Sequence, residues 1–304
     1  MSEKSQPLVS IVIPCYNHEN FVQDCIQGLI NQTYKNIELI IIDDGSKDDS
    51  IIKIQEMITK CRNRFIRFEF RHRSNKGLST TLNEALEWCE GDYWSICSSD
   101  DFYHENKVSI QVEYLLSNIK HKFCVTNAYV INDLNEVLTS QTGNYNLGLI
   151  HKIIFDDIFT FKIHLPVTGM YETYLIKNII NGFDPNVTAE DYDIYLKIAL
   201  VTDIGVIDDK LYYYRSPEAI GSERKRMPMR MDVSDSHLLT INKYKNHPLY
   251  NDAINMWNYR RFVFFSAYRF SKIYAFKGMI KSFNKFKELN FCKSLIKLIF
   301  IWRG

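Results

Sequence analysis

Short apolar runs at residues 9–14, 37–42, 65–70 and 93–97 alternate with segments of helical spacing, and this alternation limits the possible folds most. Phe21, Val22, Cys25, Ile26, Leu29 and Ile30 recur on one helical face. So do Ile51, Ile54, Ile58 and Cys61, and later Leu78, Leu82, Ala85, Leu86 and Cys89. Strand, helix, strand in regular order means βαβ units and a mostly parallel, doubly wound sheet. At 304 residues the chain has room for one large domain with an extension, or for two domains.

Beyond residue 101 the pattern loosens. Residues 106–117 read as helix, 123–131 as strand, 135–148 as a polar loop, 191–201 as helix and 211–214 as strand. Residues 216–231 contain Pro217, Gly221, Pro228 and the basic run Arg224, Lys225 and Arg226, with little periodicity. Everything after about residue 232 reads as helix. The expected organisation is therefore an α/β catalytic body over residues 1–215, a basic mobile loop over 216–231, and a basic, amphipathic helical region over 232–304.

Three acid pairs fall where such a sheet would use them. Asp43 and Asp44 follow the second strand run, Asp100 and Asp101 follow the fourth, and Glu190 and Asp191 open a helix. Acids at the carboxyl ends of parallel strands face the crevice where open α/β sheets bind ligands. Asp43-Asp44-Gly45-Ser46 also satisfies plain turn chemistry. Adjacent carboxylates at 100 and 101 repel unless a cation compensates them, and Mg²⁺ or Mn²⁺ meets nucleotides through one or two carboxylates plus phosphates. An exposed acidic loop is the alternative. Glu190 and Asp191 suit a helix N-terminus, and either could equally serve as a general base. Asn75-Lys76-Gly77 and Asn83 form a softer station, since Gly77 and the helix start behind it could approach phosphate or ribose. No Gly-x-Gly and no Gly-Lys-Ser/Thr phosphate loop occur, and His18, His104, His151 and His164 lack paired metal-ligand spacing.

Taken in order, these residues resemble family 2 glycosyltransferases of the GT-A fold. The resemblance runs through residues 9–17, Gln32-Thr33-Tyr34, 38–46, Asn75-Lys76-Gly77 with Asn83, and Gly91-Asp92-Tyr93. It continues through Ser99-Asp100-Asp101, Gly182-Phe183-Asp184 and Glu190-Asp191-Tyr192. It implies a nucleotide-sugar transferase, α/β with a Rossmann-like sheet, and a C-terminal helical extension. Pro14, Tyr16 and Asn17 then belong to the nucleotide pocket, Asp44 is its polar anchor, and Asn75, Lys76 and Asn83 lie on the donor side. Asp100 lies near ribose or metal, Asp101 is the direct ligand of Mn²⁺ or Mg²⁺, and Asp191 is the base of an inverting reaction. Glu190 orients acceptor or helix. The family's histidine after the Tyr-Arg pair is absent at Tyr214-Arg215-Ser216-Pro217, and the resemblance then implies that its role passes to the basic loop, Arg224 included. The expected donor is a UDP-sugar, and the acceptor a lipid-linked saccharide of O-antigen or capsule type. Neither nucleic acid nor a transmembrane span is expected. A sugar nucleotidyltransferase would want a Gly-rich loop after the first strand, which residues 14–17 are not. A non-catalytic sugar-nucleotide-binding module would have no need of all three acid pairs.

The charge balance adds a location. Net charge is +1, yet residues 251–304 hold eleven Lys or Arg against Asp252 and Glu288, leaving the first 250 residues acidic. Seven scattered cysteines without Cys-x-x-Cys spacing suit a reduced cytoplasmic protein, and the polar N-terminus lacks a signal-peptide core. Met279, Ile280, Phe283 and Phe286, with Lys277, Lys281 and Lys285 alongside, suggest a tail lying on an anionic membrane surface. Packing of the same face on the body, or on a second copy in a homo-oligomer, is the alternative.

Overall fold

The computed structural model describes residues 6–146, 153–216 and 229–303. In chain order the elements are β1 (Val9–Cys15), α1 (Val22–Ile30), β2 (Ile37–Asp43), α2 (Ser50–Gln55), α3 (Ile58–Arg64), β3 (Arg67–His72) and α4 (Leu78–Trp88). There follow β4 (Tyr93–Ile96), β5 (Phe102–Tyr103), α5 (Lys107–Ser117), β6 (His121–Ile131), α6 (Thr139–Tyr145), α7 (Phe155–Phe159) and β7 (Met170–Glu172). The rest is α8 (Glu190–Ala199), β8 (Asp203–Arg215), α9 (Met231–Asn242), α10 (Tyr250–Phe265), α11 (Lys272–Lys281) and α12 (Leu289–Phe300).

The strands form one sheet in the order β3-β2-β1-β4-β7-β6-β8-β5. Neighbours β3-β2, β2-β1, β1-β4 and β6-β8 are parallel, while β7 and the edge strand β5 run antiparallel to theirs. The apolar runs earn their central places: β1 and β2 are buried almost throughout. Val9, Ile11 and Ile13 pack with Leu39, Ile41 and the inner face of α1, Cys25, Ile26 and Leu29. Each large side chain so buried contributes roughly 1.5–3 kcal/mol.

Several local expectations differ from the structure. The helix expected across Ile51 and Cys61 is two helices, α2 and α3, although Ile54, Met57 and Cys61 keep one buried face across the break. The polar stretch 135–148 contains α6, whose Thr142 hydroxyl accepts from the Val130 N–H (3.0 Å). The strand expected at 211–214 is the end of the longer β8, because residues 203–210 also pair with β6.

Two compact units emerge. The first comprises Met1–Ile154, Leu165–Pro185 and Lys197–Lys225, and holds the whole sheet. The second comprises Phe155–His164, Asn186–Leu196 and Arg226–Gly304. The units thus interleave along the chain, and the segment with Glu190 and Asp191 groups with the C-terminal helices. In the second unit Tyr259, Phe262 and Phe265 of α10 pack on Ala275 of α11 and Phe291 of α12. Gly278 lets α11 lie close, since a Cβ there would stand 2.6 Å from the Asn258 carbonyl oxygen. Among the described residues no helix is long and apolar enough to cross a membrane.

Candidate active site

In the first unit, the chain winds from β1 outward through β2 to β3, then returns to place β4 on the other side of β1. That reversal is a switch point, and the loops at the carboxyl ends of β1, β2 and β4 meet there. Asn17, after β1, has a φ of 56°, a left-handed conformation that Asn tolerates. Its N–H donates to the Ser46 Oγ and its Oδ1 accepts from the Lys47 N–H, both at 2.8 Å. Asn17 therefore ties the β1 loop to the β2 loop. Tyr16 beside it is 42% exposed, and Pro14 is half-buried.

Asp43 closes the turn after β2 by accepting from the Gly45 N–H (3.1 Å), the Ser46 N–H (2.9 Å) and the Ser46 hydroxyl. Gly45 has a φ of +80°, and a Cβ there would stand 2.7 Å from the Asn75 nitrogen. Asp44 is buried and accepts from the N–H groups of Lys76 (2.8 Å) and Gly77 (2.9 Å). It also pairs with Arg73, which reaches on to Glu84 of α4 at 2.8 Å. Asp44 thus holds the 73–77 loop in place, while Asn75 and Lys76 themselves are exposed. Asn83 is engaged in the fold: its Nδ2 donates to the Phe183 carbonyl and its Oδ1 accepts from the Phe183 N–H, both at 2.8 Å.

The pair after β4 divides in two. Asp101 is 2% exposed, and both its oxygens are engaged. Oδ1 accepts from the Arg215 N–H (2.7 Å) and Oδ2 from the Tyr212 hydroxyl (2.9 Å). Burial, then the charge of Asp100, push the Asp101 carboxyl well above the usual range. The expectation that Asp101 ligates a metal directly does not suit these surroundings, because its lone pairs are turned into the protein. Asp100 keeps its side chain 18% exposed, with His18 Nε2 3.9 Å from its Oδ2. His18 Nδ1 in turn lies 2.7 Å from the Ser99 Oγ. A carboxylate so placed suits a hard divalent cation whose remaining ligands come from phosphate and water. Among the described residues, no group of three or more His, Cys, Asp or Glu could hold a metal by itself.

Spacing in the sequence concealed two residues. His18 reaches Asp100 only because β1 and β4 are parallel neighbours, with Val12 opposite Ile96. Arg215, fully buried, donates from Nε to the Asp100 carbonyl (2.7 Å) and from Nη1 to the Asn132 carbonyl (2.6 Å). It also bonds Asn135 through Nη2, and its guanidinium lies 4.5 Å from the centre of the Phe21 ring. It locks the acid loop from behind. Arg224 lies outside the described residues.

The third pair belongs to the second unit. Asp191 Oδ1 accepts from the Tyr192 N–H (2.7 Å) at the start of α8. Burial and the Asp191 charge push the Glu190 carboxyl up to about 8. Tyr192 stacks on Phe161 (4.7 Å between ring centres) and meets His237 edge-on (5.1 Å). Burial brings the His237 imidazole down to about 4, against the pull of Asp191, so it is neutral at pH 7. Asp193, one turn inside, is held by Lys243 at 2.6 Å.

This arrangement, with acids at the carboxyl ends of a sheet that reverses its order, defines a GT-A transferase fold. The profile of Glycosyl transferase family 2 matches residues 10–168, and the chain belongs to that family. It is 30% identical to a chondroitin synthase of Escherichia coli over 258 residues, 82% of this chain and 35% of that protein. It is 28% identical to the Escherichia coli UDP-Glc:alpha-D-GlcNAc-diphosphoundecaprenol beta-1,3-glucosyltransferase WfgD, covering 74% of this chain and 85% of that one. The chain spans about a third of the length of the chondroitin synthase and of similar uncharacterized glycosyltransferases from Rickettsia. Among solved structures, TarS of S. aureus with UDP-GlcNAc matches at a TM-score of 0.61 and 17% identity, over 96% of this chain and 80% of that one. A mannosyltransferase of Pyrobaculum calidifontis with GDP-Man and Mn²⁺ matches at 0.63 and 13%, over 96% and 79%.

Proposed function

We propose that this chain transfers a sugar from a nucleotide-diphosphate donor, a UDP-sugar, to a hydroxyl of a lipid-linked saccharide, with inversion. The setting is assembly of a bacterial surface polysaccharide at the cytoplasmic face of the membrane. The observation that carries the reading is the division of the pair after β4. Asp101 is anchored by Tyr212 and Arg215, and this presents Asp100, with His18, at the switch point. Tyr16 and the exposed 75–76 segment lie on neighbouring loops suited to a nucleotide. A glucosyltransferase relative is named for UDP-Glc and a diphosphoundecaprenol-linked acceptor, which supports the donor and acceptor classes.

Asp100 and His18 would hold a divalent cation together with donor phosphates. When bound, such an ion neutralises the leaving diphosphate. Asp191 accepts the proton of the acceptor hydroxyl as its oxygen attacks the anomeric carbon from the face opposite the diphosphate. The bond from that carbon to the diphosphate oxygen breaks, and the nucleoside diphosphate leaves with the electron pair. Glu190, whose carboxyl is pushed up by burial and by the Asp191 charge, is assigned the orienting of acceptor or helix beside that base.

Asp191→Asn tests this assignment, since it retains shape and removes basicity. Turnover should fall by about 10²-fold or more with donor binding nearly unchanged. Near-normal turnover would move the base elsewhere. Product NMR should give a β-glycoside from an α-linked donor, and retention would rule out single displacement.

A further inference from the structure

In the second unit, α12 presents apolar side chains on two opposite sides. Phe291, Ser294 and Leu298, at i, i+3 and i+7, turn inward, where Phe291 and Leu298 join Phe262 and Phe265. Leu289, Ile296, Ile299 and Phe300 turn outward, with Ile296 57% and Phe300 74% exposed. The same division marks α11. Ala275 and Met279 join the inner cluster, while Ile273, Phe276 and Ile280 stand outward on one stripe, Ile273 at 75% exposure. Part of the face expected from the sequence is thus architecture, because Met279 is used internally. The outer stripes are additional, and no described residue covers them.

We infer that the outer stripes of α11 and α12 form a docking surface for an anionic phospholipid leaflet. Charge is what selects this occupant. Lys277 and Lys281 are exposed at the spacing of Phe276 and Ile280 on α11, and Lys293 is exposed one turn before Ile296 on α12. Bulky apolar groups flanked by lysines are the composition of helices that lie in the membrane interface. A surface for a second protein copy would have its core depleted of charge. The helices are also braced to act together. The Lys272 ammonium donates to the carbonyls of Lys297 and Leu298, each at 2.8 Å, and to that of Ile301, capping the C-terminal end of α12. Trp302, 60% exposed, lies over the same ammonium at 4.7 Å. Lys285 is excluded from the surface, since it pairs with Glu288 at 2.7 Å.

This inference deepens the membrane-face part of the proposed function and rests on it. Vesicle binding is read without sugar transfer, so the two can fail separately. The test is sedimentation of the full chain with phosphatidylglycerol/phosphatidylcholine vesicles and with pure phosphatidylcholine vesicles. The intact chain should pellet with the anionic vesicles at low salt and be released as salt rises. Lys277→Gln, Lys281→Gln and Lys293→Gln together should weaken that binding on the order of 10²-fold, with melting temperature unchanged. Ile273→Ser with Phe276→Ser and Ile296→Ser with Phe300→Ser should abolish binding while near-ultraviolet circular dichroism is retained. Failure of the intact chain to bind anionic vesicles overturns the inference. So does a concentration-dependent dimer that the serine variants dissociate, and so does undiminished binding by the lysine variant.

Discussion

The division of labour between Asp100 and Asp101 can be tested by substituting each acid in turn. Asp101→Ala would leave the Arg215 N–H and the Tyr212 hydroxyl buried without their acceptor. Each stripped donor costs about 1–3 kcal/mol, so the loss of stability should total roughly 2–6 kcal/mol. Asp101→Asn is milder. Its amide oxygen can still take the Arg215 N–H, while its NH₂ must face Tyr212 Oη, which already accepts from the Ser98 N–H at 3.3 Å. One buried hydroxyl proton then lacks an acceptor, a cost of about 1 kcal/mol. Asp100→Asn lies at a partly exposed position and should change stability by only about 0.5 kcal/mol or less. Activity should follow the opposite order. Asp100→Asn should reduce transfer by about 10²-fold or more and demand far more Mn²⁺ for half-maximal rate, because the phosphate charge loses its partner. Asp101→Asn, saturated with metal and counted per folded molecule, should stay within about tenfold of the parent, its loss coming from a displaced loop. Denaturant midpoints by circular dichroism, with a metal titration of transfer, measure both. The reasoning is refuted if Asp101→Asn folds as stably as the parent yet needs much more Mn²⁺, since Asp101 would then be the ligand.

Glu190 links stability to pH. Its folded-state carboxyl at about 8 lies above the ordinary 4.5, so its contribution is complete below about pH 4.5 and is lost as pH rises towards 8. Glu190→Gln should remove a loss of a few kcal/mol across that window, measured as denaturant midpoints at pH 5 and pH 8.5, and parallel profiles for parent and variant would discard the buried acid. Gly45→Ala forces a side chain into a left-handed position against Asn75 and should cost about 1–3 kcal/mol. It should also weaken UDP binding by calorimetry, whereas unchanged binding would separate the turn from the nucleotide pocket.

Much of the sheet is legible in the sequence, because buried parallel strands require apolar runs and the helices between them require one apolar face. β7 leaves no such signal: its three residues are too short for periodicity to register, and it runs against its neighbours β4 and β6. The grouping of residues 155–164 and 186–196 with the C-terminal helices also left no local signature, since it arises from contacts distant in sequence. The carboxyl-end acids were legible because a strand followed by Asp-Asp leaves them nowhere to point but the crevice or a turn.

The remaining motif residues mark the two ends of the sheet, and sequence order does not distinguish the ends. Glu38, at the amino end of β2, is fully buried and accepts from Ser10 Oγ (2.5 Å), the Glu90 N–H (2.7 Å) and Arg67 (3.1 Å). Asp92 takes the Leu8 N–H at 2.8 Å. Gln32 donates to the Gly28 and His104 carbonyls and accepts from the Val108 N–H, and the Tyr34 hydroxyl closes on the Pro7 carbonyl. None of these can touch a ligand at the switch point, yet each is as prominent in the motif as Asp100. Asp101 is their counterpart at the carboxyl end. Adjacent in sequence to a crevice residue, it is separated from it by a single change of side-chain direction that β4 and β8 impose. A motif therefore identifies which side chains the fold constrains, while the direction each one takes from its strand decides whether that constraint serves architecture or chemistry.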